Sequence, residues 1–385
     1  MKRRPIVLAT GGTGGHVFPA EALASELLGR GRSLVLVTDV RGAHFGGALG
    51  TLPVYTVSAG TPTRGSIFTR VRGLLRTADG VLQARRMLGW LEPEAVVGFG
   101  GYASLPTVLA ATWRRIPTIV HEQNAILGRA NRTLAPRVTS IALSFPATAH
   151  LRPTDQTKAE IVGNPVRVEI RAVRASDYVA PALDAPFNIL VTGGSQGAAI
   201  FSTLIPDALA GLPEQLRTRL RVVQQCRPET LGVAQARYKA AGINAELAAF
   251  FTDMPRRLTA AHLVLCRAGA STVGEIAIAG RPALFIPFPY ASDDHQSANA
   301  AAFAAGGAAW HKRQSELTPE LLRTAIAELM TSPQELTARA ATARSLGRPD
   351  AARALATLVE TVAAQHAPIQ LVHPDRKFGN GGAAE

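Results

Sequence analysis

One motif, used twice, restricts the fold more than any other feature of this 385-residue chain. Ala9-Thr10-Gly11-Gly12-Thr13-Gly14-Gly15 returns as Val191-Thr192-Gly193-Gly194-Ser195-Gln196-Gly197. Each copy follows a short apolar run and precedes a helical pattern. In that setting a strand ends, the backbone reverses on glycine, and a helix offers free N–H groups at its start. Two copies, one opening each half, predict an α/β fold of two doubly wound, Rossmann-like domains facing a cleft. The length agrees, since 385 residues exceed one ordinary core and suit two.

Alternation of apolar runs with helical patterns extends this to a mostly parallel sheet in each half. Strands are expected near Ile6–Thr10, Leu34–Thr38, Val54–Val57, Ala95–Phe99, Thr118–His121 and Val138–Leu143. In the second half they fall near Asn188–Thr192, Arg221–Gln224, Glu246–Phe250, Leu263–Cys266 and Ala283–Pro287. The first domain is expected over 1–165, a junction and linker over 166–186, and the second domain over 187–345. A helix at 346–365 is expected to pack back on the first domain, and the Gly-, Pro- and charge-rich 366–385 to fray.

Composition narrows the function classes. A formal charge of +13 favours anionic partners. No zinc-finger spacing, basic heptad or dense aromatic set supports nucleic acid, which leaves diphosphates and an anionic membrane surface. Cys226 and Cys266 stand forty residues apart, so neither a disulfide framework nor a metal site is expected. No signal-peptide pattern or membrane-length apolar run is legible, and a cytoplasmic setting is the expectation.

The first loop invites a dinucleotide reading, with Asp39 as the acidic ribose partner, but Val17 stands where the third glycine is required. His16 follows instead, with Pro19 placed to start a helix. An imidazole at the mouth of such a crevice suits a general base; it suits equally a helix cap or a phosphate contact.

Gly11–Phe18, Gly98-Phe99-Gly100-Gly101-Tyr102-x-Ser104-x-Pro106, His121-Glu122-Gln123-Asn124, Gly163-Asn164-Pro165-Val166-Arg167, Gly193–Ala198, Cys266-Arg267-Ala268-Gly269-Ala270-x-Thr272 and Asp294-His295-Gln296-x-x-Asn299-Ala300 occur in that order. This series resembles the MurG family of peptidoglycan N-acetylglucosaminyltransferases over roughly residues 5–345. The resemblance implies a GT-B fold and inverting, metal-independent transfer without a cofactor. N-acetylglucosamine would pass from UDP-N-acetylglucosamine to the C4 hydroxyl of undecaprenyl-diphospho-N-acetylmuramoyl-pentapeptide (lipid I), giving lipid II.

Several site residues follow, some from chemistry and some from the resemblance. His16 is the candidate base and Glu122 its rival. Thr13, Gly14 and Gly15 are expected at substrate, and Gly14, Gly15, Gly100, Gly101 and Tyr102 around the acceptor diphosphate. Gly193–Gly197, with the Ser195 hydroxyl, can hold the donor diphosphate at a helix start, and Arg167 can offset its charge. Ala270, Ser271 and Thr272 open a further helix near the nucleotide. The resemblance adds Glu275 for the ribose hydroxyls, the Phe251 backbone for uracil, and Gln296 and Asn124 for the donor sugar. Gln224-Gln225-Cys226-Arg227 departs from the family pattern, so contacts from that loop stay open.

Two other function classes remain on the sequence alone. An epimerase acting on UDP-N-acetylglucosamine shares the architecture and donor, and a non-catalytic nucleotide-sugar binder or cell-wall scaffold shares the fold. A division or cell-wall complex would supply protein partners. Residues 60–90 hold six arginines and one acid, Asp79, with Ile67, Val71, Leu74, Leu75, Ala78 and Leu82 at helical spacing. That stripe reads either as core or, with Arg72, Arg76, Trp113, Arg114 and Arg115, as a peripheral docking surface for the cytoplasmic face of the inner membrane.

Overall fold

The computed structural model describes residues 4–11, 14–39, 45–60, 66–194 and 197–366. Thr13, Ser195 and the tail beyond His366 therefore lie outside the described residues. The first sheet contains β1 (Ile6–Ala9), β2 (Leu34–Thr38), β3 (Val54–Thr56), β4 (Ala95–Gly98), β5 (Thr118–Glu122), β6 (Ser140–Leu143) and β7 (Ala159–Ile161), in the order β3-β2-β1-β4-β5-β6-β7. The second contains β8 (Phe187–Thr192), β9 (Leu220–Gln225), β10 (Asn244–Ala248), β11 (Leu263–Cys266), β12 (Ala283–Phe285) and β13 (Trp310–His311), in the order β10-β9-β8-β11-β12-β13. The strand pairs among the described residues are all parallel, which explains why β1 and β11 read as unbroken apolar runs: helices cover both faces and every position is buried.

In each sheet the order reverses beside the domain's first strand, where β1 pairs with β4 and β8 with β11. A doubly wound sheet opens its ligand crevice past the carboxyl ends of those strands. Both glycine motifs fall there. Helix Ala351–Gln365 returns to the first domain, where Leu355, Val359 and Val362 pack among Ile6, Leu23 and Leu27. Arg30 fixes it through Glu360 at 2.7 Å. The chain enters the second core early, because Val166, Ile170 and Val173 pack with Leu190 and Ile276. Between Val173 and Phe187 no helix or strand forms.

Some sequence expectations need correction. β7 and β13 were not expected; one is a three-residue strand at the sheet edge and the other has two residues, too short to show a period. β10 starts two residues before the expected Glu246. Pro19 does not open its helix, which spans Gly14–Gly29 and places the proline inside it. The glycine loop itself supplies the first turn, so Pro19 stands in the second.

The Ile67–Leu91 helix resolves the ambiguity of the apolar stripe. Its buried face is made of Gly73, Thr77, Gly80, Val81, Ala84, Met87 and Leu88. A Cβ on Gly80 would stand 1.8 Å from the Ser58 carbonyl oxygen, so that face packs too closely for large side chains. Ile67, Phe68, Val71, Leu74, Leu75 and Leu82 consequently face outward, Phe68 at 83% exposure.

Candidate functional site

The first crevice is assembled from the ends of β1, β4 and β5. Gly100 and Gly101 adopt positive φ, 84° and 73°, and Ser104 Oγ donates to the Gly100 carbonyl at 2.9 Å, fixing the turn. His16 lies against it: a Cβ on Gly101 would stand 3.1 Å from the imidazole Cδ2, so a side chain there would press on the ring as well as strain the positive-φ backbone. His16 is half-buried, and its Nδ1 has no hydrogen-bond partner among the described residues. Burial lowers its pKa below the ordinary histidine value, against the raising influence of Glu122 and Gln123. Gly14 and Gly15 form the first residues of the same helix, and Tyr102 packs half-buried at the start of the Gly101–Trp113 helix.

Beneath His16 a polar layer is almost fully satisfied. Glu122 Oε1 accepts from the Asn124 backbone N–H and from Asn124 Nδ2, each at 3.0 Å, while Oε2 accepts from Gly128 N–H at 2.8 Å and Asn131 Nδ2 at 2.9 Å. With both oxygens bonded, Glu122 braces the 123–131 loop, and this geometry counts against its rival reading as the base. His121 donates from Nε2 to the Gly163 carbonyl at 3.0 Å and takes the Gln123 amide on Nδ1. Desolvation lowers its pKa to about 4, so it is neutral and structural.

The second crevice is more open in its bonding. Gly193 closes a turn so tight that a Cβ would stand 2.3 Å from the Ala198 nitrogen, and Gly194 and Gly197 have φ of 74° and 65°. The helix that follows starts only at Phe201, so the glycine motif does not run straight into a helix as expected. The helix aimed at this crevice is Ala270–Ala279 instead, capped by Gly269. Ala270, Ser271 and Thr272 form its first turn, where unbonded N–H groups favour an anion. Ser271 Oγ is buried without a partner among the described residues, and Thr272 Oγ1 faces the Gly194 turn at 4.0 Å from its Cβ position.

Glu275, one turn further on, is mostly buried, which raises its pKa, opposed by Arg167. Arg167 Nη2 donates to Glu275 Oε1 at 3.0 Å while its guanidinium lies 4.8 Å from the Phe18 ring centroid. Arg167 thus joins the two domains rather than standing free at the junction. Gln296 Oε1 accepts from the Ala268 N–H at 3.2 Å and the Phe288 N–H at 3.0 Å, which directs its amide nitrogen elsewhere. Phe251 is buried beneath the Arg257 guanidinium, 3.9 Å from the ring centroid. Gln224 and Gln225, whose contacts were open, serve the scaffold: Tyr238 donates to Gln224 at 2.6 Å and Thr192 to Gln225 at 2.8 Å.

The crevices meet at Asn299, which is fully buried. Its Oδ1 accepts from the Ala125 N–H at 2.8 Å, and Nδ2 donates to Asn124 Oδ1 at 3.1 Å and to the Ala268 carbonyl at 3.0 Å. Asn124 is therefore held between Glu122 and Asn299, a more constrained position than a bare sugar contact requires.

Similarity to known proteins decides the family. Residues 6–143 match the glycosyltransferase family 28 N-terminal domain, and residues 188–355 its C-terminal domain. A UDP-N-acetylglucosamine–N-acetylmuramyl-(pentapeptide) pyrophosphoryl-undecaprenol N-acetylglucosamine transferase of Rhodospirillum centenum is 52% identical over 93% of this chain and 94% of its own length. The chain belongs to this transferase family. A Rhodospirillum rubrum protein of the same name is 52% identical over 94% and 93%. Acinetobacter baumannii MurG has a crystal structure that superposes with a TM-score of 0.75 at 31% identity, covering 93% of this chain and 99% of that one. The two parallel α/β domains are those of a GT-B glycosyltransferase.

Within this family frame the site contains residues that sequence reading did not single out for a role. His121, Gln123, Asn131 and Asn299 carry the polar layer and the domain seam, yet each acts through partners distant in sequence. Phe18 stands at the end of the first glycine motif. Its stacking with Arg167 has no one-dimensional signal, because the two residues are joined only by the packing of one domain on the other.

Proposed function

We propose that this chain transfers N-acetylglucosamine from UDP-N-acetylglucosamine to the C4 hydroxyl of lipid-linked N-acetylmuramoyl-pentapeptide, with His16 as the base. The acceptor diphosphate occupies the Gly14–Gly15 and Gly100–Gly101 side, and the donor occupies the crevice of Thr272, Glu275 and Gln296. His16 takes the C4 hydroxyl proton as that oxygen bonds to the anomeric carbon. The bond to UDP breaks on the opposite face, its electron pair leaves with the diphosphate, and the α linkage becomes β. N–H groups of the Ala270–Ala279 helix and Arg167 stabilise the departing charge. The observation that carries this reading is an imidazole seated against a positive-φ glycine turn, its pKa lowered by burial and, to a smaller extent, by His295 of the second domain.

Labelled UDP-N-acetylglucosamine and a short-chain muramyl-pentapeptide lipid test it. UDP release with disaccharide formation is expected, and only when both substrates are present. Conversion of the donor alone would favour the epimerase reading, and transfer to generic sugars alone would sink the acceptor assignment.

Peripheral docking on an anionic membrane is the accompanying proposal. Among the described residues no helix is long and apolar enough to cross a membrane. The outward Ile67, Phe68, Val71, Leu74 and Leu75 lie beside Arg70, Arg72 and Arg76, and Trp113 is 54% exposed on the neighbouring helix. Apolar tips inserted among headgroups, with about 1 kcal/mol from each arginine near anionic lipid, would hold the protein reversibly. Replacing Arg72, Arg76, Arg114 and Arg115 by glutamate is expected to reduce sedimentation with anionic vesicles and turnover on long-chain acceptor, and to spare the short-chain analogue. Unchanged vesicle binding by the folded variant would refute the surface.

A further inference from the structure

At the outer edge of the domain seam, a three-residue charge cluster has no place in the chemistry above. Asp293 and Asp294 both have left-handed backbone, with φ of 53° and 51°, in the turn that leads into helix His295–Ala305. Apart from glycine, aspartate and asparagine are the residues that visit this conformation, and they do so with their short side chains hydrogen-bonded by their surroundings. For Asp293 those surroundings come from the other domain. Arg129 donates to it from Nη2 at 2.6 Å and from Nε at 3.2 Å, and Arg132 closes on the second carboxylate oxygen. Both arginines belong to helix Arg129–Leu134. The Asp293 side chain is 22% exposed and Arg132 32%, so the pairing is partly shielded from solvent. Asp294 is engaged separately, by Arg313 of its own domain at 3.1 Å.

Each half of this cluster is one short step from the site. Asp293 precedes Gln296 by three residues, and Gln296 accepts from the Ala268 and Phe288 N–H groups. Arg129 and Arg132 flank Asn131, which donates to Glu122 beneath His16. Charge-assisted, forked hydrogen bonds are directional as well as strong, so they fix the relative placement of the elements they join.

We infer that Asp293, gripped by Arg129 and Arg132, is a positioning residue for donor recognition. It holds the Gln296 end of the second domain in register with the 122–131 loop of the first, so that both face the same sugar. The inference rests on the reading of the chain as a UDP-N-acetylglucosamine-dependent transferase. It acts before chemistry, on the alignment of the cleft, and therefore on donor affinity more than on the chemical step.

The test is donor KM and kcat, with calorimetric binding of UDP-N-acetylglucosamine, for wild type, Asp293→Asn, Asp293→Gly and the double variant Arg129→Ala/Arg132→Ala. Asparagine and glycine both tolerate left-handed backbone, so they remove the charge without adding strain. Donor KM is expected to rise about five-fold in all three, near the low end of inter-site couplings, with kcat within about two-fold of wild type. Adding Asp293→Asn to the arginine double variant is expected to add nothing, because the partners are already gone. Asp207→Asn breaks the Arg237–Asp207 pair within the second domain and is expected to leave donor KM unchanged. A purely structural clamp would lower Tm in the folded variants without moving donor KM, and that result would overturn the inference alone. Wild-type protein that binds no UDP-N-acetylglucosamine would overturn the functional reading and this inference with it.

Discussion

The two glycine motifs are nearly the same sequence, yet they build different devices. The first dissolves into a helix: Gly14 and Gly15 are already helical, a Cβ at Gly15 would meet nothing within 4 Å, and the outcome is a side chain, His16, set at the crevice. The second closes on itself: Gly193 has backbone atoms within 2.4 Å of its Cβ position, the helix waits until Phe201, and the outcome is a cradle of backbone. Their surroundings differ in the same sense. Around His16, Glu122 is bonded to Asn124, Gly128 and Asn131 and Gln123 to His121, which leaves the His16 Nδ1 as the group without a partner among the described residues above a braced layer, as suits a preorganised reacting centre. Around the Gly193 turn, Ser271 Oγ lacks a partner among the described residues, and Glu275 is paired with Arg167, as suits a surface completed by ligand. A shared motif therefore identifies the fold, while the neighbours decide which chemistry each copy serves.

The contrast is broken most forcefully at His16. His16→Ala is expected to lower kcat about a thousand-fold, within the range for loss of a general base, with donor KM nearly unchanged. Steady-state UDP release at saturating substrates measures it; near-normal turnover would make the first motif another cradle. Next in size is Gly193→Ala. The added methyl meets the Ala198 nitrogen, a backbone atom that cannot swing aside, so the turn must open. A loss of about 3 kcal/mol in denaturant-measured stability is expected, together with weakened UDP binding in calorimetry.

A comparable effect belongs to the polar layer under the first motif and depends on pH. His121 is buried neutral with a pKa of about 4, below its unfolded value of about 6.5. Between those values the unfolded chain binds the extra proton, so the stability contribution is fully present above about pH 6.5 and lost as pH falls toward 4. The loss approaches about 3 kcal/mol across that window, and His121→Asn is expected to flatten this part of a stability-against-pH curve. The smallest effect is expected at Gly15→Ala, which keeps the N–H, has open space and sits in a helix. A change within about 1 kcal/mol, in the stabilising direction, is predicted for thermal unfolding. A loss of activity there would mean that substrate approaches the Cα itself.

Much of this arrangement was legible in the sequence because its causes are local. Fully buried strands such as β1 and β11 announce themselves as apolar runs, and the glycine turns as motifs. What was not legible depends on packing between distant segments. The buried face of helix Ile67–Leu91 is the glycine face, and only the close approach of Ser58 explains why its leucines point outward. Asn124 pairs with Asn299 across 175 positions, and Arg167 with Glu275 across 108. Neither partnership leaves a periodic trace. Pro19 misled for a related reason, since a helix that begins inside a glycine loop has no ordinary starting residue.

The most direct test is the pH dependence of kcat for wild type, His16→Ala and Glu122→Gln, measured by UDP release with both substrates saturating. Burial holds the His16 pKa below its ordinary value and Glu122 raises it, so the acid limb of wild type should lie below about pH 6.5. In Glu122→Gln the limb should persist and move to still lower pH, and in His16→Ala the residual rate should lose it. A limb that survives in His16→Ala and disappears in Glu122→Gln would contradict the account, and would hand the proton to the carboxylate.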